Sequence, residues 1–297
     1  SQHVTATGRL ASSAPNLQNV KRDEDEFGIR KLFMAPPGRR LGDADYSQLE
    51  MRIVASEADE QNMLQAIHEN RDLHCWTAHL MHGIPYEALI GAVKAKEAKQ
   101  TLTSEQKKFL EVRNASKSIN FGVIYGETPI KLSKQLAISK AEATVLFDAY
   151  WASYPGLVTL FKRIEYETRQ QAYVCTPLGR RRQIPTAKNT IGYSAKEYSA
   201  GLRAAGNLPI QGHAAEIVKG AQIRIWEDEE MWDAGLRMIL QVHDEIVTEG
   251  PAWLFEDEEF VRRYEHYMQY PFRDGTPPLQ VPLEATLNHG ANWASAK

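Results

Sequence analysis

Apolar and small residues crowd positions 41–46, a density that predicts a strand. Ser47 then opens a helix reaching Ser56, with Ser47-x-x-Glu50 in the form of a capping box. From 61 to 173 the apolar period is helical, with Ser104 and Ser139 as N-caps and Gly83, Gly126 and Pro155 as breaks. Residues 173–185 read as a hairpin or extended loop, and helix returns over 194–231, interrupted near Asn207 and Pro209. Two short apolar runs, 236–242 and 245–249, flank His243 and Asp244 as strand, tight turn, strand. A helix over 254–268 and an alternating strand over 279–287 complete the chain, whereas residues 1–30 lack apolar periodicity and read as an extended polar segment. This order predicts an α+β fold, a β-sheet platform carrying a helical insertion.

Composition leaves that picture intact. The 297 residues are 43% hydrophobic and 25% charged, the profile of an ordinary globular chain. Cys75 and Cys175 lie far apart without CxxC spacing, which argues against a disulfide framework or a zinc site and fits a reducing compartment. The first thirty residues carry charges and a proline and do not read as an export signal, and no stretch reaches a membrane-length apolar run. The net charge of −3 gives no global attraction to nucleic acid, so DNA binding would rest on local basic clusters such as Arg180, Arg181 and Arg182.

Two aspartates carry the candidate chemistry. Asp45 stands where the first strand gives way to a helix, and Asp244 stands in the tight turn of the later strand pair. If those strands are neighbours in one sheet, both carboxylates project from the same edge. At about 4 Å they would repel by roughly 4 kcal/mol at an effective dielectric near 20, so a cation is needed between them. Mg²⁺, which takes one or two carboxylates plus phosphate oxygens, suits so sparse a pair. Taken singly, each Asp would read as a turn or cap residue. On the long helix, Arg113, Lys117, Phe121 and Tyr125 recur at every fourth position and share one stripe. Two cations followed by two rings suit a nucleoside triphosphate, charge for its phosphates and aromatic faces for base and sugar. The plainer alternative is an amphipathic helix with core aromatics and solvated charges.

Three segments then carry a resemblance. Asp45-Tyr-Ser-Gln-Leu-Glu-Met-Arg52, Arg113-Asn-Ala-Ser-Lys-Ser-Ile-Asn-Phe-Gly-Val-Ile-Tyr-Gly126 and Gln241-Val-His-Asp-Glu245 resemble motifs A, B and C of family A (bacterial DNA polymerase I-like) DNA polymerases, in the same order. Thr5-Ala-Thr-Gly-Arg9, Asp72-Leu-His74, Leu178-Gly-Arg-Arg-Arg182 and Asn207-Leu-Pro-Ile-Gln211 extend the likeness, and 86–108 stands out as an extra stretch. The resemblance implies an antiparallel β-sheet palm (1–55 and 193–297) with a large helical fingers insertion (56–192), the thumb having no counterpart.

It further implies template-directed addition of dNTPs to a primer 3′-OH by two-metal phosphoryl transfer. Asp45, Asp244, Glu245 and Lys117 would form the catalytic set. Asp45, Asp244 and the main-chain carbonyl of Tyr46 would hold two Mg²⁺, with Mn²⁺ able to substitute. Tyr46, Gln48, Glu50, His74, Arg113, Lys117, Phe121 and Tyr125 would contact the dNTP, Glu50 with Tyr125 gating against a ribose 2′-OH. That gate competes with the capping-box role for the same carboxylate. Arg9, Asn16, Gln18, Asn19, Arg203, Asn207, Gln211 and His243 would touch primer-template DNA. The expected partners are the primer-template, dNTPs and a separate polypeptide, or the rest of a longer chain, supplying thumb or exonuclease. The expected setting is a bacterial or phage-infected cytoplasm. Single-subunit RNA polymerases share the aspartates and the cationic stripe, and Glu50 and Phe121 point to the DNA-synthesising branch. A non-catalytic DNA-binding subunit is the reading from another class.

Overall fold

The computed structural model describes residues 5–20, 28–188, 192–273 and 279–297. The part of the polar N-terminal segment at 21–27 lies outside them.

The first strand, β1 (Arg39–Tyr46), enters α1 (Leu49–Glu57). A helical block follows: α2 (Gln61–His68), α3 (Leu73–His82), α4 (Tyr86–Glu97), α5 (Ser104–Ile124), α6 (Pro129–Leu136), α7 (Lys140–Ser153) and α8 (Pro155–Gln171). A hairpin of β2 (Tyr173–Cys175) and β3 (Arg181–Gln183) leads through the short α9 (Pro185–Lys188) to α10 (Ala195–Trp226) and α11 (Glu229–Asp233). Then come β4 (Arg237–Val242), β5 (Glu245–Pro251), α12 (Ala252–Glu256), α13 (Glu258–Gln269) and β6 (Ala285–Gly290).

The main sheet is antiparallel throughout, in the order β4-β5-β1-β6. Its alternation separates two environments. Ala44, Tyr46 and Ile246 point into the large core shared with the helices, whereas Leu41 and Val247 join Trp293 and Ala296 in a small cluster on the opposite face. Asp43, Asp45 and Glu245 have the parity of that second face, with Asp45 directly across from Glu245. Gly42 is required by proximity: a Cβ there would lie 2.4 Å from the Phe255 ring. The main core is covered by α10, which packs on α1, α8, α9 and α13.

Local signals account for most boundaries, and tertiary packing moves the rest. Ser139 caps α7 with Glu142 as a reciprocal capping box. At α5 the cap is Thr103 rather than Ser104, in a box with Gln106. At α1 the Ser47–Glu50 box does not form: Gln48 occupies the N-cap in a left-handed conformation without a side-chain cap, and the Glu50 carboxylate points elsewhere. The break expected near Asn207 and Pro209 is absent, for α10 runs through Pro209 unbroken. The interior proline removes one backbone bond at a cost of about 3 kcal/mol, and the buried face of α10 outweighs it. The C-terminal helix is two, divided at Asp257, which accepts from the Glu259 amide at 2.8 Å and caps α13. The alternation of 279–287 buries Val281 and Leu283, yet only 285–290 finds β1 as a ladder partner. Alternation reports burial, and a strand also needs a neighbour.

Candidate active site

A cleft of about 550 Å³ opens where the end of β1, the start of α1, the stripe of α5, the middle of α10 and the β4–β5 turn meet. Asp45, Tyr46, Gln48, Glu50, His74, Arg113, Lys117, Phe121, Tyr125, Arg9, His243 and Asp244 all line it. Elements far apart in sequence thus bring both aspartates and the whole α5 stripe to one cavity. Gly126, with a φ of +67°, ends the stripe just after α5, and Arg203 packs its aliphatic stem across that glycine.

The two aspartates influence each other. Asp244 sits in the two-residue β4–β5 turn, after His243 at a φ of +56°. Burial and then the negative charge of Asp45 raise its pKa to about 6. Such a pair gains from a cation between its members, and the donors are hard oxygens, the chemistry of a Mg²⁺ site. Among the described residues no group of three or more His, Cys, Asp or Glu side chains is arranged to hold a metal ion by itself. A pair completed by ligand phosphates needs no such cage. Tyr46 anchors this end of β1, its buried hydroxyl donating to the Met268 carbonyl at 2.7 Å.

Arg113, the first cation of the stripe, is oriented from the cap of α3. Arg113 Nη2 lies 2.5 Å from Asp72 Oδ2, while Asp72 Oδ1 caps α3 by accepting from the Cys75 amide at 2.7 Å. Burial opposes ionisation of Asp72, but bonds from Arg113 and the Cys75 amide outweigh it and hold its pKa below the usual carboxylate value. His74, 4% exposed, has Nδ1 3.0 Å from Asn120 Nδ2, and Asn120 is bound in turn to Thr77. Burial lowers the His74 pKa to about 4; Asp72 opposes that shift, and Arg113 and Lys117 add to it. The imidazole is therefore neutral at pH 7. The Phe121 ring lies 5.6 Å from it, centroid to centroid.

Glu50 closes the opposite wall. Its Oε2 accepts from the Tyr125 hydroxyl at 2.7 Å, and its Oε1 is ion-paired with Arg9. Burial, then the Glu50 charge, raises the Tyr125 pKa to about 12.

Other candidate residues lie outside this wall. Glu245 is buried beneath it: Trp293 Nε1 donates to its Oε1 at 2.8 Å, Arg30 Nη1 lies 3.3 Å from the same oxygen, and Lys297 pairs with Oε2. Asn16 caps a single 3-10 turn by accepting from the Gln18 amide, and Asn19 ends that turn exposed. Gln18 donates to the carbonyls of Leu10 and Gln241, fastening the N-terminal segment to β4. Gln211 is buried in α10, and Asn207 reaches the Tyr125 carbonyl at 3.4 Å. Asp72, Asn120, Asp43, Arg30 and Lys297 belong to the supporting structure without having been singled out as site residues. Asp72 had a signal, an Asx position opening a helix; Lys297 had none. A larger cleft of about 680 Å³ shares Gln48 with this one, but its arginines are already paired, Arg52 with Glu284 and Arg71 with Glu69.

Comparison with known proteins matches the chain to a family. The family model described as DNA polymerase family A matches residues 1–295. The chain belongs to DNA polymerase family A. It is 38% identical over 297 residues to "DNA polymerase I, thermostable" of Thermus aquaticus, an alignment covering 100% of this chain and 32% of that protein. DNA polymerase I of Pseudomonas aeruginosa is likewise 38% identical, over 99% of this chain and 29% of its own length. Among solved structures, the POL domain of Pol1 from M. smegmatis, in complex with DNA primer-template and dNTP, superposes with a TM-score of 0.82. Its sequence is 33% identical, and the match covers 100% of this chain and 48% of that one. This family A chain thus spans about a third of the length of the curated relatives it matches. No described helix is long and apolar enough to cross a membrane.

Proposed function

We propose that this chain carries the polymerising site of a DNA-directed DNA polymerase, adding dNTPs to a primer 3′-OH on a template. The observation that carries this reading is the convergence of Asp45, Asp244, Arg113, Lys117, Phe121 and Tyr125 on one cleft. In this reading the sheet with 1–55 and 193–297 is the palm, and the helical block within 56–192 is the fingers. The donor set suits two Mg²⁺, or Mn²⁺, held by Asp45, Asp244 and the Tyr46 carbonyl, which when bound would lower the pKa of the primer hydroxyl and neutralise the leaving pyrophosphate.

The protein's own groups do the remainder. Arg113, aimed by Asp72, and Lys117 grip the triphosphate and stabilise its spreading charge. Neutral His74 offers a hydrogen bond there without adding a third full cation. Phe121 lies against the base and sugar. Glu50 and Tyr125, fastened together, fill the space a ribose 2′-OH would need. Arg9 and His243 meet the primer end from the cleft rim, while Arg203, Asn207 and Gln211 on α10 follow the duplex. Asn16, Gln18 and Asn19 hold and extend the N-terminal segment beside β4. Glu245 acts from below by anchoring the sheet edge that presents Asp45. Closing α5 over a matched pair would bring its stripe onto the triphosphate, a gating motion.

Primer extension with the purified chain, dNTPs against rNTPs and Mg²⁺ against chelator, tests the reading. Metal-dependent, template-directed extension with dNTPs is expected. Binding of primer-template without any extension would leave a DNA-binding subunit instead.

A further inference from the structure

Beneath the cleft, the second face of the sheet holds three carboxylates together. Asp43 and Asp45 share that face of β1, and Glu245 stands across from Asp45 on β5. One ammonium serves all three. Lys297 Nζ pairs with Glu245 Oε2 and lies 3.2 Å from Asp45 Oδ2 and 3.7 Å from Asp43 Oδ2. Asp45 is the member that also lines the cleft.

The segment bearing Lys297 is firmly placed. Trp293 is 1% exposed; its amide donates to the Phe33 carbonyl at 2.9 Å and its indole to Glu245. Ser295 and Asn292 close a turn by exchanging hydrogen bonds, and Ala296 is fully buried. Arg30, 4% exposed, stacks over the Trp293 ring at 3.9 Å and holds the other Glu245 oxygen. Glu245 is thus fixed from one side by Trp293 and Arg30 and in turn fixes Lys297 against Asp45.

We propose that Lys297 is a positioning residue for Asp45, a resident countercharge that holds this carboxylate at the cleft floor and yields it when a divalent cation binds. The inference rests on Asp45 being a cation ligand. An ammonium and a divalent cation cannot both sit close to one carboxylate oxygen without repelling each other, so binding of the second must weaken the Lys297–Asp45 pair. Glu245, already paired with the ammonium, gives it a place to remain once Asp45 is taken. Lys297 would therefore set how strongly the cleft holds its cation and how reproducibly Asp45 faces it.

The test reads cation binding directly, in the full 297-residue chain without DNA or nucleotide, by Mn²⁺ titration followed by calorimetry or electron paramagnetic resonance. Lys297→Met and Lys297→Gln remove the competing charge, and each is expected to tighten Mn²⁺ binding about tenfold or more, which corresponds to about 1.4 kcal/mol. Lys297→Arg keeps the charge and should stay within about twofold of the unsubstituted protein. With saturating Mn²⁺, the neutral variants should lose kcat in primer extension at nearly unchanged KM for dNTP, since Asp45 is then less well fixed. Mn²⁺ affinity in folded Lys297→Met and Lys297→Gln within about twofold of the parent overturns the proposal. Asp45→Ala separates the causes: if it abolishes Mn²⁺ binding while the Lys297 variants change nothing, only the Lys297 role falls. If Asp45→Ala leaves Mn²⁺ binding intact, the ligand reading falls and the Lys297 role with it.

Discussion

Replacing Glu50 asks whether its carboxylate gates the nucleotide sugar or merely ties down the wall. In Glu50→Ala the Tyr125 hydroxyl and the Arg9 guanidinium both lose their acceptor. A hydrogen bond to a charged group contributes roughly 1.5–3 kcal/mol when buried, and an exposed ion pair about 0–1 kcal/mol. Tyr125 is 41% exposed and the Arg9 side chain 27%, so water takes over much of both contacts. The expected loss of stability is about 1–2 kcal/mol. The effect on sugar choice should be larger, because shortening Glu50 empties the space beside Tyr125 that a 2′-OH would enter. Relaxation by about 100-fold in the ratio of kcat/KM for rATP over dATP, about 2.7 kcal/mol of differential barrier, is the expected result. Glu50→Gln keeps the shape and loses the charge, so it should relax the ratio by less than about tenfold. Single-nucleotide incorporation with the two triphosphates measures both, and urea unfolding measures the stability cost. An unchanged ratio in Glu50→Ala alongside the loss of stability would assign Glu50 to packing alone and refute the gate.

Asp45→Ala and Asp244→Ala should each reduce nucleotide addition below about 1% of the parent, at least about 2.7 kcal/mol of barrier, while gel-shift affinity for primer-template survives. Asp72→Asn preserves an oxygen to cap α3 but loses the ion pair that aims Arg113, so KM for dNTP should rise about tenfold in steady-state extension, and an unchanged KM would detach Asp72 from the site. His74 supplies a pH dependence: its folded pKa of about 4 lies below the ordinary histidine value of 6.5, so the unfolded chain binds the proton more readily. The stability conferred by neutral His74 is full above pH 6.5 and is lost as pH falls through the window down to about 4, roughly 3 kcal/mol in all. Subtracting the urea-unfolding profile of His74→Gln from that of the parent isolates it, and parallel profiles across the window would show that the imidazole is not held neutral.

Much of this chain was legible from local pattern. The strand run 41–46, the helical period through the middle third and the two apolar runs around His243 and Asp244 each report which side of an element is buried, a property written in consecutive residues. The α5 stripe was readable for the same reason: a spacing of four on a helix places Arg113, Lys117, Phe121 and Tyr125 on one side whatever surrounds them. Where a signal was ambiguous, tertiary context chose. Local sequence offered Glu50 only the cap of α1, the resemblance set it at the cleft, and Arg9 and Tyr125, brought from distant segments, bind it in the cleft. Pro209 and Asn207 spell a break to any local reading, but the burial of α10 keeps it whole. No sequence spacing relates Lys297 to Asp45, or Arg30 to Glu245. Those pairs exist because the β1–β5 register sets Asp45 opposite Glu245 and because Trp293 lays the C-terminal segment beneath them, and charge pairing across a sheet is decided by register and packing, neither of which consecutive residues encode.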